Sequence, residues 1–208
     1  MAIEIVQQFD WEVPDWVILP SGNLGNAAAL YAGFQMMIDL GVATRLPRLV
    51  VAQAANANPM YRAWIAGKRE IEPIRAETTL ASAIQIGNPV SAPRAFRALD
   101  AMRGIVEQAT EQELVDAAAE ADATGMYTCP HTAVGLAVLK KLLKAGTISK
   151  AQRVVCISTA HGLKFTEFKV RYHESQLGAI QSSQANPAVL LPPDYDSVAQ
   201  AIRARFAA

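Results

Sequence analysis

Residues Trp16 to Asn26 read WVILPSGNLGN, and this stretch decides the fold. The run Trp16-Val17-Ile18-Leu19, bounded by Pro14 and Pro20, has no polar residue to mark a solvent face, so it predicts a buried strand. The glycine-rich turn SGNLGN follows. Ala27 to Leu40, rich in Ala, Leu and Met, then predicts a helix, with Gly41 as its C-terminal stop. Strand, turn and helix in direct succession are the unit of an α/β layer architecture.

The same alternation recurs outward from this unit. Arg48 to Ala52 predicts a second buried strand, followed by the loop QAANANP and a helix over Met60 to Ala66. Ile71 to Ile74 is expected as a short strand. Thr79 to Ile86 and Ala92 to Gln108 are expected as helices, split by Gly87-Asn88-Pro89. Thr110-Glu111-Gln112-Glu113 is a capping-box pattern opening a helix to Asp122. Gly125 to Thr128 is expected as another short strand. Thr132 begins a long helix with Lys140, Lys141 and Lys144 in its last turns and Gly146 as its stop. Arg153 to Ser158 predicts a late strand that runs into the loop STAHGLKF. Gln176 to Pro193 reads as a looser connection and Asp194 to Phe206 as a terminal helix. Ile3 to Phe9 has helical spacing but no cap. The expected fold class is α/β: three layers, a largely parallel sheet flanked by helices, in a single domain over residues 1–208.

Composition narrows the function. Hydrophobic residues make up 51% of the 208, enough for a sizeable core and too many for a disordered chain. Lys+Arg and Asp+Glu number 19 each, so no bulk field draws the chain to nucleic acid or anionic lipid. An anionic ligand must be held by a local site. Cys129 and Cys156 make no disulfide framework, which points to a reducing compartment. The opening MAIEIVQQFDWE is acidic and lacks the basic-then-apolar order of a signal peptide, and no run approaches the ~20 apolar residues that span a bilayer. The expectation is a cytoplasmic protein without membrane or nucleic-acid partners.

In open α/β sheets, ligands sit beyond the carboxyl ends of strands, where loops lead into helices. Ser21-Gly22-Asn23-Leu24-Gly25-Asn26 and Ser158-Thr159-Ala160-His161-Gly162 both fall there. In the first, Gly22 and Gly25 permit close backbone approach and positive φ, so successive N–H groups can converge on one anion at a helix N-terminus. Asn23 and Asn26 add amide donors. The loop has no lysine or arginine, which suits a phosphate monoester held by backbone amides. It matches neither Walker A nor GxGxxG. On spacing alone it serves equally well as a plain strand-to-helix turn.

PSGNLGN, QAANANP, ASAIQIGNPVS, YTCPHTAVGLAVLKKL and STAHGLKF, in that order, resemble threonine synthase over roughly residues 1–172. The resemblance implies a fold-type-II pyridoxal phosphate enzyme, tryptophan synthase β-like. Such an enzyme is a carbon–oxygen lyase that converts O-phosphohomoserine and water into threonine and phosphate. It implies that Gly22, Asn23, Leu24, Gly25 and Asn26 hold the cofactor's phosphate, with Asn23 also near the substrate's phosphate. It implies too that Thr159 hydrogen-bonds the pyridine nitrogen, where a hydroxyl need not protonate the ring. Ser21 stands where many relatives have glycine, a mild change if its N–H stays available. The family's Schiff-base lysine lies in a motif resembling SFKD, well upstream of the phosphate loop. The expectation is therefore a C-terminal portion with no catalytic residue of its own, inactive by itself. The ring-stacking and substrate-carboxylate contacts would come from the same upstream region.

Other residues invite roles and have plainer ones. Lys164 lies within HGLKF, where the family has a lysine besides the catalytic one. Lys68, Lys140, Lys141, Lys144, Lys150 and Lys169 fall on segments that read as polar helix faces or loops, whereas a reactive lysine needs a desolvated pocket. His161 and His131 read as loop-capping or packing groups, Cys129 as a possible pocket residue, and Cys156 as a small buried hydrophobe. His131, His161 and His173 lack metal-ligand spacing. Leu136, Leu139, Leu142 and Leu143 form a core stripe. Two further readings remain: a non-catalytic module that binds pyridoxal phosphate, another phosphate ester or a protein, and half of a split lyase completed by an N-terminal chain. An apolar surface where further structure would pack predicts a homo-oligomer.

Overall fold

The computed structural model describes residues 1–207. β1 (Trp16–Pro20) lies between β2 (Arg48–Ala54) and β4 (Val154–Cys156), and β3 (Ile105–Ala109) pairs with the far side of β2. All the pairings are parallel, giving a four-stranded sheet in the order β3-β2-β1-β4. Trp16 aligns with Arg48 on one side and Val154 on the other.

The absence of a polar face on β1 has its explanation in the layers. Successive side chains leave a strand on opposite faces. Val17 and Leu19 join Leu49, Val51 and Val106 beneath α1 (Ala2–Gln8), α2 (Gly25–Asp39), α3 (Pro59–Ile65) and α4 (Ala92–Ala101). Trp16 and Ile18 join Val50 and Ala52 beneath α5 (Glu111–Ala123), α6 (Pro130–Lys144) and α7 (Thr166–His173). Each large apolar side chain fully buried in these layers is worth about 1.5–3 kcal/mol relative to exposure. The three-layer α/β arrangement is thus the one expected. α8 (Tyr195–Phe206) follows the loose 176–193 connection and buries none of its residues.

Local signals held where the chain satisfies itself. Thr110 caps α5 reciprocally: its hydroxyl accepts the Glu113 N–H at 3.2 Å, and the Glu113 carboxylate accepts the Thr110 N–H at 2.8 Å. Gly41 ends α2 in the left-handed region at φ 71°.

Four expectations gave way to tertiary contacts. The helix predicted over Ala92 to Gln108 is α4 followed by β3. Arg103 turns to φ 46°, and the Gly104 N–H closes on Leu99 O at 2.7 Å. A Cβ at Gly104 would stand 2.6 Å from the Leu49 carbonyl, so only glycine lets the chain enter the sheet here. The helix expected over Thr79 to Ile86 is only a 3₁₀ turn at Ser82–Ile84. Its donors are taken by other elements: Leu80 N–H by Glu111 at 2.8 Å and Ala83 N–H by His131 Nε2 at 2.9 Å. Ile71 to Ile74 is extended but joins no ladder; Ile74 N–H bonds Gly87 O at 3.0 Å. Gly125 to Thr128 gives only an isolated antiparallel bridge between Thr128 and His161. Within the α6 stripe, Leu142 is buried, Leu136 and Leu139 are partly buried, and Leu143 is exposed.

Candidate functional site

A cleft of about 500 Å³ opens beyond the carboxyl end of β1. Pro20 to Asn26 form one wall, Ala83, Ile84 and Ile86 a second, and His131, Thr159, Ala160, Lys164 and Phe165 the third. Gly22, Asn23, Leu24, Gly25, Asn26 and Thr159, the residues expected at the cofactor, therefore line one space. No carboxylate lines it, and Lys164 is its charged side chain, exposed on the 3₁₀ turn Gly162–Phe165.

The first wall differs in detail from its sequence reading. The Ser21 N–H is not free for an anion: it extends the ladder to Ala52 O at 2.8 Å, while the Ser21 hydroxyl donates to Leu19 O at 3.0 Å. The left-handed residue is Leu24, at φ 66°, rather than Gly22 or Gly25. Gly22 is needed for space instead, because a Cβ there would meet Ile84 Cα at 2.8 Å. Asn23 Oδ1 accepts the Val90 N–H at 2.9 Å, so its side-chain amide is left with donors to offer.

These contacts aim the start of α2 at the cleft. An α-helix begins with four N–H groups that have no partner inside the helix. At α2 no side chain caps them, and Gly25 and Asn26 are exposed in the cleft lining. Orphan donors with the positive end of the helix dipole and no neighbouring carboxylate fit a phosphate ester.

Behind the third wall, Cys129 is fully buried and does not line the cleft, against the pocket reading; it caps α6 through its sulfur, which accepts the Thr132 N–H at 3.3 Å. Thr132 Oγ1 accepts the Thr159 N–H at 3.1 Å and so draws the 158–162 loop onto α6. Burial pushes the Cys129 thiol up, but hydrogen bonds from His131, Thr132 and Thr159 outweigh it and bring it down to about 6. Cys156, with burial alone, is pushed up to about 12. His131 Nε2 accepts the Ala83 N–H at 2.9 Å, and Phe165 packs edge-on against the ring at 4.9 Å. His161 is a capping group: its Nδ1 accepts the Leu163 N–H at 3.2 Å.

Lys169 overturns its surface reading. It is 3% exposed, and its ammonium meets both Asp122 oxygens at 2.8 and 2.6 Å, 5.0 Å from the Tyr127 ring centre. Tyr127 O also accepts the Gly162 N–H at 2.9 Å, so the pair braces the loop that carries Thr159. Lys68 and Lys140 are ion-paired on the surface with Glu72 and Glu120.

The family model described as pyridoxal-phosphate dependent enzyme matches residues 1–160. The chain belongs to this family. "Threonine synthase 2, chloroplastic" of Arabidopsis thaliana is 54% identical over 203 residues, covering 97% of this chain and 39% of that protein. The threonine synthase of Methanocaldococcus jannaschii is 39% identical over 178 residues, 85% of this chain and 44% of that one. The crystal structure of threonine synthase from Escherichia coli superposes with a TM-score of 0.58 at 20% identity, covering 93% of this chain and 44% of that one. This pyridoxal-phosphate family segment thus spans about two-fifths of the length of these curated relatives.

Sequence reasoning missed Ala83, Ile84, Ile86, His131, Lys164 and Phe165 as lining residues. All lie within the quoted segments ASAIQIGNPVS, YTCPHTAVGLAVLKKL and STAHGLKF; what the strings lacked was the fold that sets them face to face. Among the described residues no three His, Cys, Asp or Glu side chains gather as a metal set, and no helix is long and apolar enough to cross a membrane.

Proposed function

We propose that this chain forms the phosphate- and ring-nitrogen-binding wall of a pyridoxal phosphate site in a threonine synthase. The complete enzyme would convert O-phosphohomoserine and water into threonine and phosphate. The observation that carries the reading is the cleft itself: the uncapped start of α2 and Thr159 line one space free of carboxylates.

Each wall has its part. The N–H groups at Gly25 and Asn26 and the Asn23 amide hold the phosphate dianion, and the Lys164 ammonium adds long-range attraction. Ile84 and Ile86 exclude water from one flank, which strengthens those polar contacts. Thr159 meets the ring nitrogen. Bound there, the cofactor supplies an electron sink for charge developing on an amino-acid carbon. The amine that engages the cofactor's aldehyde and the groups that move protons belong to an upstream region, so the chain by itself is inactive, and a complementing chain with that lysine would restore turnover. Residues 1–208 act as one unit, and an exposed apolar stripe on α8 favours self-association.

Titration with pyridoxal phosphate by calorimetry and absorbance, followed by borohydride and peptide mapping, tests this. Saturable binding without a borohydride-stable mass increment on any lysine supports the reading. An increment mapped to Lys164 overturns the claim of inactivity. Absence of binding favours the rival reading, an interaction module that kept the sheet without the ligand.

A further inference from the structure

The second wall of the cleft is held by a histidine. Residues 77–90 contain no strand and only the 3₁₀ turn Ser82–Ile84, so other elements must fix their path. Glu77 N–H donates to Asn56 O at 2.8 Å, Leu80 N–H to Glu111 at 2.8 Å, Ala83 N–H to His131 Nε2 at 2.9 Å and Val90 N–H to Asn23 Oδ1 at 2.9 Å. Ala83 is the anchored residue that itself lines the cleft, next to Ile84 and Ile86. His131 is 4% exposed in the first turn of α6. The wall it holds rests on the 21–26 loop, since Ile84 Cα stands 2.8 Å from where a Cβ on Gly22 would be.

The two titratable anchors answer acid differently. A carboxyl that takes up a proton keeps acceptor capacity, so Glu111 can go on receiving the Leu80 N–H. An imidazole that takes up a proton is a donor at both nitrogens, and Nε2 then meets the Ala83 N–H donor to donor. A buried cation without an acceptor is costly. The ring regains a partner when the Ser82–Ile84 turn moves off and admits water. That movement carries Ala83 and Ile84 away from the 21–26 loop.

We propose that His131 is a positioning residue for the cleft: its neutral ring holds the Ser82–Ile84 turn against the 21–26 loop, so the cleft keeps its second wall, and its grip on a phosphate ester, only while Nε2 is unprotonated. The proposal rests on the reading of the cleft as a phosphate-ester site. The charged and titratable groups around His131 are Cys129 at the start of its own helix, Lys164 in the same lining, Glu111 at the head of α5, His161 across the bridge to Thr128, and the Lys169–Asp122 pair that braces the 158–162 loop. His161 and His173 also accept backbone N–H groups, from Leu163 and Asn186, but neither is buried and neither bond reaches the second wall.

Two measurements decide it. The first needs no ligand. Nitrogen-15 labelling of the histidine rings follows protonation of His131 itself, and hydrogen exchange at the Ala83 and Leu80 amides follows the two anchors. Between about pH 8 and about pH 5, the Ala83 protection factor should fall about tenfold or more in step with His131 protonation, while Leu80 stays protected. An Ala83 amide indifferent to the ring, or a ring that stays neutral over that range, overturns the proposal. The second is calorimetric titration of the whole chain with pyridoxal phosphate at both ends of the range. His131→Leu, with no acceptor, should weaken binding about tenfold at the alkaline end, and His131→Gln, whose side-chain oxygen accepts at every pH, should recover most of that loss. The ratio of wild-type to His131→Gln affinity should then fall about tenfold toward acid; the ligand phosphate, protonated near pH 6, and Cys129 are common to both proteins and cancel. A constant ratio, or a wild-type fall that His161→Gln removes instead, sinks the idea. Failure of the cofactor reading looks different: pyridoxal phosphate binds none of these proteins, while Ala83 protection still follows the His131 ring.

Discussion

At the scale of single residues, the site depends on contacts that side-chain identity alone does not reveal. Cys129 ionises early in the folded chain, near 6 against an ordinary 9.0, so between those values the unfolded state binds more protons than the folded state. Stability contributed by the sulfur is therefore full above pH 9 and is lost as pH falls through 6. Urea midpoints measured across that range should climb with pH, and Cys129→Ala should flatten the climb. Gly22 is a second residue-level case. A methyl there presses on the Ile84 backbone at 2.8 Å and on Ile86 at 3.0 Å, so Gly22→Ala must push the second wall away from the 21–26 loop. We expect a loss of about 1–3 kcal/mol in stability by chemical denaturation, together with weaker phosphate binding by calorimetry. The sequence marked Gly22 and Gly25 for close backbone approach and positive φ; the close approach holds at Gly22 while neither glycine takes a positive φ, and nothing in SGNLGN announces that residues 82–86 are what lies across it.

At the scale of elements, the reliable signals were those satisfied within a few residues. The capping box at Thr110, the left-handed stop at Gly41 and the apolar run of β1 each carry their own partners or pattern, and each was legible. β3 was not. Its five residues, IVEQA, have no long apolar run, and what makes them a strand is pairing with β2 from Val50 to Ala54. α7 shows the same dependence: Lys169 looks like a solvated lysine in TEFKVRYH until α5 supplies Asp122. Because breaking a buried pair leaves a charge unsatisfied, Asp122→Ala should cost about 3–5 kcal/mol, while an Asp122→Leu/Lys169→Met double substitution should cost much less. Equilibrium denaturation of both variants measures this; equal losses would show that the pair is no more than packing.

At the scale of the whole molecule, the least integrated part is α8. Tyr195, Val198, Ile202 and Phe206 stand exposed on a helix with no buried residue. That stripe leads us to expect association that grows with concentration, reduced by Ile202→Glu; a clean monomer by size-exclusion chromatography at every concentration would remove the case for a homo-oligomer. The sequence by itself determined the alternating α/β class, the buried parallel strands and the order of segments that marks the pyridoxal phosphate family, because those are written in local pattern. Only the tertiary structure decided that the start of α2, residues 83–86 and the Thr159 loop enclose one cleft, that the Ser21 N–H is spent on the sheet, and that a buried imidazole holds the Ala83 N–H. The reason is physical: a strand or cap is stabilised by neighbours in the chain, whereas a site is built from donors and acceptors far apart in sequence, whose partners are fixed only when the layers pack.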